Sequence, residues 1–198
     1  MINQQQKLDQ LRKKLQSQNP TPSLAKNARN LVFGSGDPNA DIVIIGEAPG
    51  KNEDESGEPF VGASGKRLNE MLAQINLTRQ DVYITNIVKY RPPENRDPKD
   101  SEKDAHMEYL LEQIRIIQPT ALVTLGRHSG QVFKQDLRIS DDHGVAETIT
   151  IDGLGELLFI PQYHPAASLY NGKLRDTLFA DFRAIPQQIL KFSKKENK

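Results

Sequence analysis

The sequence predicts an α/β fold, a short four-stranded parallel sheet whose strands are joined by helices, and two observations predict it. Four apolar, β-branched runs, Ile42–Ile45, Val82–Val88, Ala121–Leu125 and Leu157–Ile160, stand far apart in the chain. Helical periodicity occupies the segments between them. Strands that alternate with helices pair in parallel through right-handed crossovers.

The elements follow in order. Leu8, Leu11 and Leu15 share one face of an otherwise charged segment, so residues 3–17 read as a helix ended by QNPTPS, and residues 1–30 as an N-terminal helical cover. Ile42–Ile45 is a buried type of strand that runs into the turn GEAPG. Ser64 to Gln74 places Leu68, Met71 and Leu72 on one side of a helix. After the second strand, Ser101 to Ile117 does the same with Leu110, Ile114 and Ile117, and Ser101 with Asp104 has the spacing of a capping box. A short helix is expected over 126–133 and a C-terminal one over 173–192, interrupted at Pro186, with 193–198 a frayed tail. No repeat or linker divides the 198 residues, so one domain over 1–198 is expected.

Composition narrows the chemistry. Lys and Arg total 26 and Asp and Glu total 26, so any nucleic-acid surface must be a local patch rather than a global field. There is no cysteine, which removes disulfides, thiolate metal sites and a cysteine nucleophile together. No apolar run has the length of a membrane span, and MINQQQKLDQLRKKL lacks the apolar core of a signal peptide. The expectation is a soluble cytoplasmic protein without a membrane partner.

The carboxyl ends of parallel strands share one edge, and ligands of open α/β sheets bind there. Glu47, Asn86 and His164 lie at three such ends. An acid, an amide and an imidazole suit a polar heterocycle: the amide reads a base edge, the imidazole donates to an oxygen gaining charge, and the acid orients water or stabilises a cation. Each residue has a plainer reading. Glu47 could accept backbone N–H groups in a tight turn, Asn86 could cap or turn the chain, and His164 could be a structural histidine ahead of Pro165. Phe60 reads either as a core anchor or as a stacking platform for a base. His106, His128 and His143 read as surface or structural, with no spacing that suggests a metal, and Glu53-Asp54-Glu55 as a solvated loop.

Taken in order, LVFGSGDPNADIVIIGEAPG (31–50), GEPFVGASGKRL (57–68), VYITNIVKYRPPENRDP (82–98), YLLEQIRIIQPTALVTLG (109–126) and YHPAASL (163–169) resemble the family-4 uracil-DNA glycosylases over nearly the whole chain. The resemblance implies a three-layer α/β/α sandwich. It also implies a repair hydrolase that flips deoxyuridine out of DNA, cleaves its N-glycosidic bond and leaves an abasic site. By the same resemblance, Glu47 assists the attack of water and Ala48 helps bind uracil. Phe60 stacks on the flipped base, Asn86 reads its pyrimidine edge, and His164 bonds a uracil carbonyl. Pro165 to Leu169, with Ala166 between, corresponds to the loop that enters the minor groove, Leu169 being the wedge. Lys66, Arg67, Lys89, Arg91 and Arg96 are phosphate-contact candidates. The implied partner is uracil-containing DNA, single- or double-stranded, bound by a monomer associated with the nucleoid.

The sequence departs from the family at one place. Typical members hold an iron–sulfur cluster on four cysteines, whose positions fall here at about Asn19, Pro22, Tyr90 and His106. No cluster, other cofactor or metal is therefore expected, with Tyr90 filling the vacated space. AASLYNGK also lacks the arginine that often follows the wedge, which implies weaker DNA contacts there. An alternative reading is a uracil-DNA binding protein, non-catalytic or trapping DNA covalently through a histidine. RPPENRDPKDSEKDAH carries no basic insert for that role, and His106 is its one candidate. A generic nucleotide-binding sandwich would need a phosphate loop, and neither GxGxxG nor GxxxxGKS/T occurs.

Overall fold

In the computed structural model, which describes residues 2–196, the chain opens with α1 (Gln4–Gln18). Its start is reciprocal: Asn3 Oδ1 accepts the Gln6 amide at 2.9 Å, and Gln6 Oε1 accepts the Asn3 amide at 3.1 Å. Next come α2 (Pro22–Asn27), β1 (Ser35–Gly36), β2 (Ile42–Gly46), α3 (Lys51–Ser56), α4 (Ala63–Ala73) and β3 (Tyr83–Asn86). A 3-10 turn (Pro93–Asn95) leads to α5 (Asp100–Ile117), β4 (Ala121–Leu125), α6 (Arg127–Gln131) and α7 (Ile139–Asp142). The hairpin β5 (Glu147–Ile151) and β6 (Gly155–Gln162), a second 3-10 turn (Pro165–Ser168) and α8 (Gly172–Glu196) complete it.

Among the described residues the sheet has six strands in the order β1-β3-β2-β4-β6-β5, not four. The four expected strands form its parallel centre, and β1 and β5 add antiparallel edges on β3 and β6. Both faces are covered, which explains the continuous apolar runs of the central strands. Val43, Ile45, Leu122 and Leu157 meet Leu8, Leu11 and Leu15 of α1 and Leu110, Ile114 and Ile117 of α5 on one face. Ile42, Ile44, Val123, Leu158 and Ile160 meet Leu68, Met71 and Leu72 of α4 and Leu178, Phe182 and Ile185 of α8 on the other. Alternate residues of each strand thus feed opposite layers of an α/β/α sandwich. No helix among the described residues is long and apolar enough to cross a membrane.

Two local expectations change. The cap of α5 is not Ser101 with Asp104. Glu102 accepts the Lys99 amide at 2.8 Å and is gripped by both terminal nitrogens of Arg96, at 2.8 and 2.6 Å. Nor does Pro186 interrupt α8, which runs through it. Proline forfeits one helical hydrogen bond, but Leu178, Phe182, Ile185 and Phe192 hold both halves of the helix on the core. Of the 193–198 tail, residues to 196 are helical, and 197–198 lie outside the described residues.

Candidate active site

The parallel register aligns Gly46 of β2 with Asn86 of β3, and β6 leads through Tyr163 into His164. Ala48, Phe60, Asn86 and His164, with Ser64 and Glu53, line one cavity of about 170 Å³ beyond the strand ends. Glu47 lines a second, of about 180 Å³, with Pro92, Arg96 and Asp97. The two share Ala48, Gly50 and His164. The site is therefore a base-sized hole beside a groove that holds the acid.

Within the first cavity the polar groups are set up for a ligand. Asn86 Oδ1 is buried with no hydrogen-bond partner among the described residues, a costly condition for an amide unless something else pairs with it. His164 Nδ1 accepts the Ala166 amide at 3.2 Å, which leaves the imidazole proton on Nε2. Burial pushes its pKa down to about 4, with Glu53 opposing, so the ring is a neutral donor at pH 7. The Phe60 ring is tilted 34° to it at a centroid distance of 5.9 Å. Gly46 is required between them: a Cβ there would lie 2.3 Å from Asn86 Oδ1 and 2.5 Å from Phe60 Cζ. Gly46→Ala is expected to lower stability by about 1–3 kcal/mol, the usual cost of overpacking, read as a shift of the urea midpoint.

Glu47 is half-buried and its Oε1 has no hydrogen-bond partner among the described residues. His128 Nδ1 stands 3.9 Å from it and His128 Nε2 3.7 Å from Asp97, so an imidazole separates two carboxylates. Burial raises the pKa of Glu47, His128 lowers it and Asp97 raises it again. His128 is thus no bystander. Sequence spacing could not reveal it, because it lies in the first turn of α6 and reaches Glu47 only in three dimensions.

Other expectations are revised. Lys89 is fully buried and cannot meet a phosphate; its Nζ donates to Thr85 Oγ1, the Asn86 carbonyl and Gln113 Oε1 at 2.7, 2.6 and 2.5 Å. Desolvation lowers its pKa well below the usual lysine value. Arg96 is engaged by Glu102 and Arg67 by Glu70, whereas Lys66 is exposed and Arg91 partly so. Pro165 is buried and shapes the turn; Ala166 and Leu169 are partly exposed, and Tyr170 is 97% exposed. The Glu53-Asp54-Glu55 loop is helix α3, in which Asp54 is buried and accepts the Arg29 amide at 2.8 Å.

The residues at the family's cluster positions do not fit an iron–sulfur group. None is a thiol, and His106 is already engaged: Nδ1 donates to the Glu102 carbonyl at 2.9 Å, and Thr21 Oγ1 lies 3.5 Å from Nε2. The Tyr90 ring meets the His106 ring edge-on at 6.2 Å, and both are buried. That burial also removes His106 as a trapping nucleophile. Burial depresses its pKa to about 4, against about 6.5 in an unfolded chain. Between those values the unfolded state binds more protons, so stability falls as pH falls. We expect about 3 kcal/mol lost through His106 by pH 4, and less through the cavity-facing His164. Urea midpoints measured from pH 7 to 4 in wild type and His106→Gln check this.

Comparison with known proteins agrees with this arrangement. The profile of the uracil DNA glycosylase superfamily matches residues 33–185. The type-4 uracil-DNA glycosylase of Saccharolobus solfataricus is 44% identical over 172 residues, 84% of this chain and 79% of that protein. That of Archaeoglobus fulgidus is 46% identical over 166 residues, 82% and 83% of the two chains. That of Thermotoga maritima is 39% identical over 167 residues, 83% and 86% of the two. On its sequence motifs, its sandwich fold and these matches, the chain belongs to the type-4 family of the uracil DNA glycosylase superfamily.

Proposed function

We propose that this protein is a monofunctional uracil-DNA glycosylase that hydrolyses the N-glycosidic bond of a flipped deoxyuridine. The observation that carries the reading is the buried, unpartnered Oδ1 of Asn86 in the cavity that also holds Phe60 and the Nε2 donor of His164. Uracil offers N3–H to that oxygen and a carbonyl to the amide NH2. Cytosine presents the opposite pattern, an acceptor at N3 and a donor beside it, and is refused. Phe60 covers one face of the base, and that stacking offsets part of the cost of extrusion.

As the C1′–N1 bond breaks, its electron pair goes to uracil N1, and His164 Nε2–H stabilises the charge that spreads to a carbonyl oxygen. The sugar becomes cationic. Glu47, in the adjoining groove, stabilises that cation and takes a proton from the water that attacks C1′. Among the described residues no lysine lines either cavity, so none is placed there to form a Schiff base, and the product is an abasic site. Lys66 and Arg91 would contact phosphates, and Ala166 and Leu169 the minor groove. The enzyme acts as a monomer on single- or double-stranded DNA in the cytoplasm, associated with the nucleoid, and without an iron–sulfur cluster.

The test is release of free uracil from a uracil-containing oligonucleotide, followed by alkaline strand cleavage. No release from either single- or double-stranded substrate sinks the enzyme reading, and an adduct that survives denaturing electrophoresis replaces hydrolysis with trapping. Iron and sulfide at stoichiometric levels in the purified protein contradict the cluster-free reading.

A further inference from the structure

Phe60 stands at φ = +53°, in the left-handed region that an aromatic residue occupies only when its surroundings force it to. Three contacts hold it there. Arg79, in the turn between α4 and β3, donates from Nη1 to the Phe60 carbonyl at 2.9 Å and from Nη2 to the Pro59 carbonyl at 2.5 Å. Glu53 Oε1 accepts the next two amides, Val61 and Gly62, both at 2.9 Å. Gly65, in the first turn of α4, lets the helix press on this corner, since a Cβ there would lie 1.7 Å from the Phe60 oxygen.

Arg79 is the charged contact that stands outside the pocket. Unlike Glu53 it lines neither cavity, and its side chain donates to these two carbonyls. A half-buried guanidinium is here spent on two consecutive backbone carbonyls, which its planar fork holds in one fixed geometry that the compact, freely rotating ammonium of a lysine does not impose. Those carbonyls belong to the residue whose ring stands beside Gly46, Asn86 and His164.

We propose that Arg79 is a positioning residue of the base pocket: its fork locks the Pro59-Phe60 backbone in the strained turn that aims the Phe60 ring at the flipped base. The inference rests on the base-pocket reading above. Without the fork, Phe60 relaxes toward ordinary backbone angles, and each binding event must restore the strained turn at the expense of affinity.

The experiment is a double-mutant cycle on Arg79→Ala and Phe60→Ala, read by single-turnover uracil excision and by inhibition with free uracil, with Arg79→Lys and thermal unfolding alongside. Arg79→Ala is expected to slow excision and weaken uracil inhibition by roughly 10- to 100-fold. Arg79→Lys should recover only part of the loss. Low-millimolar guanidinium should rescue Arg79→Ala but leave wild type unchanged. With Phe60 already alanine, removing Arg79 should add little, because the clamp then has no ring to aim. Fully additive losses, or an Arg79→Lys enzyme with wild-type excision and inhibition, overturn the clamp while leaving the pocket reading intact. A wild type that releases no uracil overturns the pocket reading, and the clamp with it.

Discussion

Replacing His164 with alanine is expected to lower single-turnover uracil excision by about 10²–10³-fold, the usual cost of removing one donor aimed at a developing oxyanion, while DNA binding stays close to wild type. The geometry makes this a loss in the chemical step. The Ala166 amide commits Nδ1 as an acceptor, so the donor is Nε2–H of a neutral ring. Its depressed pKa, about 4, means that the donor form persists through the neutral range. Excision in wild type should therefore show no limb near the ordinary histidine pKa that His164→Ala removes. A neutral donor also fits the leaving group. On the proposed mechanism it would stabilise the uracil anion through a hydrogen bond without delivering a proton that the anion does not need. His164→Gln keeps an N–H donor on a different stem and should recover part of the rate.

The central strands β2, β3, β4 and β6 were legible because both their faces are buried, which forces unbroken apolar runs. The edge strand β5 was not: ETITI alternates, with its outer face open, and β1 is only two residues long. Edge strands carry half the apolar signal of central ones, so the sheet read as four strands rather than six. At the site, the strand ends placed Glu47, Asn86 and His164 correctly at one edge, since parallel topology alone requires it. Residues that act through the site side chains were hidden. Arg79 holds the Phe60 backbone and His128 faces Glu47 from other elements of the fold, and no local spacing records such contacts. Lys89 misled for a simpler reason. Lysines are almost always exposed, and this one is buried only because Thr85, Gln113 and the Asn86 carbonyl satisfy all three of its donors.

Glu47→Gln is expected to lower excision by about 10²–10³-fold, the scale of a unit charge placed near a developing cation in a partly screened site. Its pH dependence carries more information than the loss itself. On the proposed mechanism the working form is the carboxylate, and burial raises its pKa above the ordinary value, so wild-type activity should fall on acidification sooner than for an exposed acid. The charged groups around it come from three directions: Asp97 from the loop after β3, Lys103 from α5, and Arg127 with His128 from α6. Lys103, Arg127 and His128 favour the anion; Asp97 disfavours it. His128→Gln removes the largest of the favourable influences while keeping polar bulk, so the acid limb of excision should move to higher pH. Asp97→Asn should move it lower. The opposite signs are the point of the pair, because a variant that merely loosened the fold would depress the whole profile without shifting its limb. Identical limbs in both variants would mean that Glu47 does not govern the profile. The acid would then have to act through position alone, and the separation of a base cavity from a charged groove would lose its chemical meaning.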